Sequence, residues 1–315
     1  MSELVIQRGA VKVPFSRGIL SRSLRNIGLD DTRAYDITSR IYQELLDEGI
    51  SVLTTEHLSR ILSKRISQHA GESFGNRWEQ LRLFKRSNRP LVLLVGGSTG
   101  SGKSTIATEV AHRLDITRIQ STDSIRHVMR SVVAEPLVPS IHRSSFEPDA
   151  DPLLSNHPQR STADRTASSS KETIQALVEQ VRHVAVAVDA VLERAVQENL
   201  STILEGVHLI PGLFQKFASE SRVQFLHLVV HVGNEDEHRD RFLSRGRASK
   251  GRPGERYLRN FESIRSIQSY LVERAEAYGL PCIDNRSVDE TVDAALGCVL
   301  DGVGASTPWM PPVRR

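Results

Sequence analysis

The sequence predicts an α/β fold, a parallel sheet flanked by helices, preceded by a small α+β module. Strand-like runs at 91–95 (LVLLV), 117–120, 202–205, 224–232 and 280–283 alternate with helical stretches, as units that cross over between parallel strands do. The first of these runs enters a glycine-rich turn that opens a helix. Upstream of residue 89 the pattern differs: two short strands, then helices.

Residues 3–15, ELVIQRGAVKVPF, read as two strands around an Arg-Gly-Ala turn. Helical patterns follow near 16–27, 30–48 and 54–67; the second spaces Ala34, Ile37, Ile41 and Leu45 on one face. Asp in GLDD and Thr in SVLTTE stand where helix caps are needed. Residues 1–68 therefore make the small module. A helical connector occupies 69–88, the main domain 89–305, and a tail 306–315. Within the main domain, 171–199 carries a continuous apolar stripe (Leu177, Val181, Val184, Val188, Leu192), which is core. The segment 147–170 is poor in large apolar residues and rich in Ser, Asp and Pro. It reads as a mobile insert.

Composition is that of a globular protein: 39% hydrophobic and 25% charged over 315 residues. No apolar run approaches the ~18 residues of a membrane span, and the N-terminus lacks a signal-peptide pattern. Cys282 and Cys298 are the two cysteines, which argues against a disulfide framework or a cysteine-rich zinc site. A cytoplasmic protein without a membrane partner is expected. The net charge of +3 and the lack of a basic recognition helix give no reason to expect nucleic acid. A homo-oligomer stays open.

GSTGSGKS, Gly97 to Ser104, fits G-x-x-x-x-G-K-[ST], with a strand before it and a helix after it. Such a loop turns backbone N–H groups toward phosphate oxygens at a helix N-terminus. Gly97, Ser98, Thr99, Gly100, Ser101, Gly102, Lys103, Ser104 and Thr105 are thus the expected ATP-binding residues. Lys103 reaches the outer phosphates and Ser104 ligates Mg²⁺.

Two further strand ends carry polar residues. Asp123, in STDSIR, is a helix N-cap, or a carboxylate that orients or deprotonates an acceptor hydroxyl or holds Mg²⁺ through water, and the two roles can coexist in one turn. Arg126 and Arg130 share its helix face. Glu205, in ILEGVHLIPG, suits a Mg²⁺–water site, although Asp is the usual residue there. Glu205 and His208 have structural alternatives, a turn hydrogen bond and a partly buried ring. The arginine-dense segment 238–260 is either a solvated face or a phosphate clamp. Its position resembles the lid of small P-loop kinases and makes Arg241, Arg245, Arg247, Arg252 and Arg256 candidates for transition-state charge.

The series GGSTGSGKST, STDSIR, PSIHRSSF, ILEGVHLIPG, RDRF, ERYLRNFESIRSIQSYL and PCIDN resembles the 2-phosphoglycerate kinase family. The N-terminal VIQRGAVKVPFSRGILSRSL resembles the ATP-cone module that precedes the kinase part there. The resemblance implies a P-loop kinase fold and ATP-dependent phosphorylation of 2-phosphoglycerate to 2,3-bisphosphoglycerate. It puts Lys103 on the transferred phosphate and Asp123, Arg126, His142, Ser144 and Ser145 around the acceptor, a small molecule. The strand-end, helix-face and lid readings add Glu205 and Arg245 to Lys103 and Asp123 as expected catalytic residues, and Arg130 and His208 to the acceptor set. Two other readings stay open: a P-loop kinase for another phosphorylated small acid or a nucleoside, and a non-enzymatic ATP-sensing regulator.

Overall fold

The computed structural model describes residues 4–87, 89–147, 162–248 and 254–301, without the side chains of residues 8, 162–169 and 245–248. The described residues fall into two compact units. One holds 4–87 with 112–115 and 299–301; the other holds the rest. No helix among the described residues is long and apolar enough to cross a membrane.

In the first unit, β1 (Val5–Arg8) pairs antiparallel with β2 (Val11–Pro14). The helices α1 (Arg17–Asn26) and α2 (Asp31–Asp47) follow. β3 (Val52–Thr54), absent from the sequence reading, returns parallel to β1. α3 (Thr55–Ala70) and α4 (Glu72–Arg86) complete the unit. The expected caps are in place: Asp30 accepts from the Arg33 N–H at 2.8 Å, and Thr54 from the His57 N–H at 3.2 Å. Each satisfies an N–H that has no partner within its helix. Ala34, Ile37, Ile41 and Leu45 are buried as their spacing requires. The stretch read as a connector is α4, and it clusters with this unit.

The second unit runs β4 (Leu91–Gly96), α5 (Lys103–Leu114), β5 (Ile119–Ser121), α6 (Thr122–Val132) and the short α7 (Pro139–His142). It continues with α8 (Thr162–Gln197), β6 (Thr202–Gly206) and β7 (Gln224–His231). α9 (Glu235–Ala248), α10 (Gly254–Arg259), α11 (Phe261–Ala277), β8 (Cys282–Asp284) and α12 (Val288–Asp301) close it. The sheet order is β5-β6-β4-β7-β8, and every neighbouring pair is parallel. All six residues of β4 are buried, which requires cover on both faces. α5 supplies Ile106, Ala107, Val110 and Ala111 to this core. α8 runs its stripe through two clusters, Leu177 and Val181 in one, Val184, Val188 and Leu192 in the other.

α8 starts at Thr162, earlier than the Lys171 its apolar stripe suggested. The stretch TADRTASSS has no large apolar residue to reveal a period, so 162–170 looked irregular. Residues 148–161 of the expected insert and the expected tail at 306–315 lie outside the described residues. From β4 the chain visits β5 and β6 on one side and then β7 and β8 on the other. The C-terminal end of β4 is therefore a topological switch point, where open parallel sheets bind ligands.

Candidate active site

The loop between β4 and α5 is held by its carbonyls. The Thr99 carbonyl accepts from His238 Nε2 at 2.9 Å. The Ser101 carbonyl accepts from Asn285 Nδ2 at 2.8 Å and from Arg241 Nη1 at 3.3 Å. Lys103 Nζ rests 3.4 Å from the Ser98 carbonyl. In a trans peptide the next N–H points opposite to the carbonyl. The N–H groups of Gly100 and Gly102 therefore face away from these anchors. Gly102 has φ +89, and a Cβ there would collide with the Asn285 amide. Asn285 and the glycine are thus one fitted contact.

Beside this loop, Glu205 on β6 lies in register with Val95 of β4 and Ser121 of β5. It is 7% exposed, and its Oε2 is buried without a hydrogen-bond partner. At Gly206 a Cβ would collide with the Thr122 side chain, so glycine lets the start of α6 approach the strand end. His208 is fully buried. Its Nδ1 lies 2.8 Å from the Thr122 hydroxyl and its Nε2 2.9 Å from Gln180 Oε1. Burial first, then the charges of Arg126 and Lys103, push its pKa down to about 4, against the opposing pull of Asp123. The ring is neutral at physiological pH.

The cap of α6 is Ser121, which accepts from the Asp123 N–H at 3.2 Å. The Asp123 carboxylate is exposed and carries no cap duty. Arg126 lies 3.5 Å from it, with its side chain 14% exposed. Arg126 Nη1 donates to the carbonyls of Ile141 at 2.9 Å and Arg143 at 2.7 Å. Burial lowers the pKa of its guanidinium, and the Asp123 charge opposes that effect. Arg130 is exposed one turn further along. His142 Nε2 donates to the Val133 carbonyl at 2.9 Å, which docks the end of α7 onto the end of α6. Ser144 Oγ accepts from Arg256 Nη2 at 2.7 Å, and Arg256 also grips Glu147 at 2.7 and 2.8 Å. Ser145 is half-buried beside them in sequence.

Asp123, Arg126, His142, Ser144 and His208 thus belong to one connected region next to Glu205. Of the arginine-rich segment, Arg241 braces the P-loop and Arg256 holds Ser144 and Glu147. Arg245 and Arg247 fall in the last turn of α9 with side chains outside the described residues, as does all of Arg252. Gln180, His238, Gln268 and Asn285 were not singled out from the sequence. Gln268 donates to the Val232 carbonyl at 2.9 Å and accepts its N–H at 3.0 Å, fixing the exit of β7. Gln180 and Gln268 did leave a signal: each interrupts a buried apolar helix stripe, where a polar side chain needs partners.

Among the described residues no group of three or more His, Cys, Asp and Glu gathers. What is present, the exposed Ser104 hydroxyl and the unpartnered Glu205 Oε2, fits Mg²⁺. That ion takes few protein oxygens and keeps most of its water.

A phosphate cradle at the switch point, with the Glu205 carboxylate on the neighbouring strand end and Asp123 and the half-buried Arg126 on the helix after the next strand, defines a P-loop phosphotransferase. A Zeta toxin family model matches residues 76–135. The chain is 38% identical over 297 residues to 2-phosphoglycerate kinase of Methanopyrus kandleri, covering 91% of this chain and 84% of that protein. It is 35% identical over 301 residues to the Pyrococcus furiosus protein of the same name, covering 96% and 94%. A solved Thermus thermophilus protein aligns with 69% of this chain and all of its own length, at 21% identity and a TM-score of 0.38. The chain belongs to the 2-phosphoglycerate kinase family.

Proposed function

We propose that this chain transfers the γ-phosphoryl group of ATP to the 3-hydroxyl of 2-phosphoglycerate, giving 2,3-bisphosphoglycerate and ADP. The observation that carries this is the shared sheet edge: the anchored P-loop leaves the end of β4, the exposed Asp123 follows the end of β5, and β6 with Glu205 lies between them. The relatives' name supports the choice of acceptor.

The hydroxyl oxygen attacks the γ-phosphorus, and the bond to the β–γ bridging oxygen breaks with its electron pair leaving on ADP. The hydroxyl proton passes to the Asp123 carboxylate and then to water. His208 is not the base: its ring is buried and both nitrogens are engaged. Lys103 leaves the Ser98 carbonyl for the transferred phosphate. Ser104, and Glu205 through water, would hold Mg²⁺, which neutralises charge on the outer phosphates. Arg126, Arg130, Ser144 and Ser145 face the acceptor, His142 and His208 shape its pocket, and Arg245 belongs to the lid. The ATP-cone resemblance makes the first unit a regulatory module in this reading. A cytoplasmic location, where ATP is plentiful, belongs to it as well.

The test is phosphorus NMR of the full chain with MgATP and 2-phosphoglycerate, with 3-phosphoglycerate as control. Appearance of 2,3-bisphosphoglycerate from the first acceptor is expected. Turnover of the 3-phosphoglycerate control alone, or of neither, overturns the reading.

A further inference from the structure

We propose that Gln180 is a positioning residue, holding the acceptor segment 139–145 against the turn that carries Asp123; the proposal rests on the kinase reading above. Gln180 lies on α8 and is 2% exposed, between Leu177 and Val181 of the core stripe. An apolar side chain would fill that position, so a glutamine there needs a reason.

Its amide has three partners. Nε2 donates to the Ser140 carbonyl at 2.6 Å and to the Arg143 carbonyl at 3.1 Å. Oε1 faces His208 Nε2 at 2.9 Å. Two carbonyls can only accept, so the amide nitrogen must face them and the oxygen must face the imidazole. His208 then carries its proton on Nε2, and Nδ1 accepts from the Thr122 hydroxyl at 2.8 Å. One directional chain runs from Thr122, next to Asp123, through His208 and Gln180 to the acceptor segment. Arg126 donates to the same Arg143 carbonyl, so that oxygen is pinned from α6 and from α8. Ser144 and Ser145 follow directly. Loss of the Gln180 amide frees the Ser140 side of this clamp and shifts the residues that meet the acceptor, while the P-loop, held by His238 and Asn285, is untouched.

The test uses the full-length chain with Gln180→Met, which keeps the length without the polar atoms, and Gln180→Glu, which keeps the oxygen facing His208 and loses the two donated bonds. For both variants at pH 8, the KM for 2-phosphoglycerate should rise at least about tenfold while the KM for ATP stays within about twofold, a split expected of a group acting on one substrate. Amide hydrogen exchange over 139–145 should speed up about tenfold, with 97–105 unchanged. An acceptor KM at the wild-type value, or an ATP KM that rises in step with it, overturns the proposal. A wild-type chain inactive on 2-phosphoglycerate overturns the substrate reading alone. In that case the exchange measurement, which needs no acceptor, decides whether Gln180 holds the segment.

Discussion

The Asn285 side-chain amide donates to the Ser101 carbonyl at 2.8 Å, joining the end of the last strand to the middle of the phosphate loop. Its Oδ1 accepts from the Thr291 hydroxyl at 3.1 Å, which fixes the amide's orientation. Asn285→Asp replaces the donor with a carboxylate that faces a carbonyl oxygen. The KM for ATP should rise about tenfold, some 1.4 kcal/mol, with the acceptor KM unchanged. Stability should fall by about 1–3 kcal/mol, since the residue is buried. Steady-state kinetics with each substrate varied in turn checks this; equal effects on both constants would make the contact a general strut.

Lys103→Ala should abolish measurable turnover, a loss of several kcal/mol or about 10³-fold, as for other preorganised cationic donors. The melting temperature should stay within about 2 °C, because the lysine's internal contact is a single 3.4 Å approach to Ser98. Retention of near wild-type activity in this variant would sink the kinase assignment.

Much of the architecture was legible from local pattern. The β4–loop–α5 unit announces itself through an apolar run, four close glycines and a helical stripe, all within one window. Asp30 and Thr54 cap helices because capping is a contact over three residues. The anchors of the P-loop were not legible. His238 reaches Thr99 and Asn285 reaches Ser101 across more than a hundred residues of chain, and no spacing rule encodes such pairs. The pattern STDSIR offers both Ser121 and Asp123 as polar residues at the helix start, and Ser121 is the cap. The sequence reading gives Arg126 to the acceptor; in the structure its Nη1 donates to two carbonyls of the 139–145 segment, a contact over fifteen or more residues that no local spacing encodes.

Acid should destabilise the fold through His208 and His227. Both are fully buried, and burial pushes each pKa down to about 4. An unfolded histidine titrates near 6.5. Between about pH 4 and 6.5 the unfolded chain thus binds more protons, so stability rises with pH through that window and is lost as pH falls through it. At pH 5 the loss is roughly 2 kcal/mol for each ring relative to pH 8. Urea unfolding from pH 4.5 to 8 measures the slope. His227→Gln, away from the proposed chemistry, should flatten it by about half; an unaltered slope would place the acid sensitivity elsewhere.

Arg126 gives the sharpest test of where the acceptor binds. Phosphoglycerate brings about three negative charges to a site already facing a triphosphate, and their approach is strongly repulsive without nearby cations. Lys103 and Mg²⁺ are committed to the nucleotide in the proposed mechanism. Arg126 is next to Asp123 and holds the carbonyls that precede Ser144 and Ser145. Arg126→Ala removes both the charge and the clamp. The KM for 2-phosphoglycerate should rise at least tenfold, about 1.4 kcal/mol or more, while the KM for ATP moves little. Stability should drop by roughly 1–3 kcal/mol, because the Ile141 and Arg143 carbonyls each lose a donor. A solvent-facing ion pair with Asp123 alone would cost under about 1 kcal/mol. Thermal melts separate these two magnitudes, and kinetics with each substrate varied in turn separates clamp from cation. A lowered melting temperature with an unchanged acceptor KM would reduce Arg126 to a strut and move the acceptor's charge partner to Arg130 or the lid.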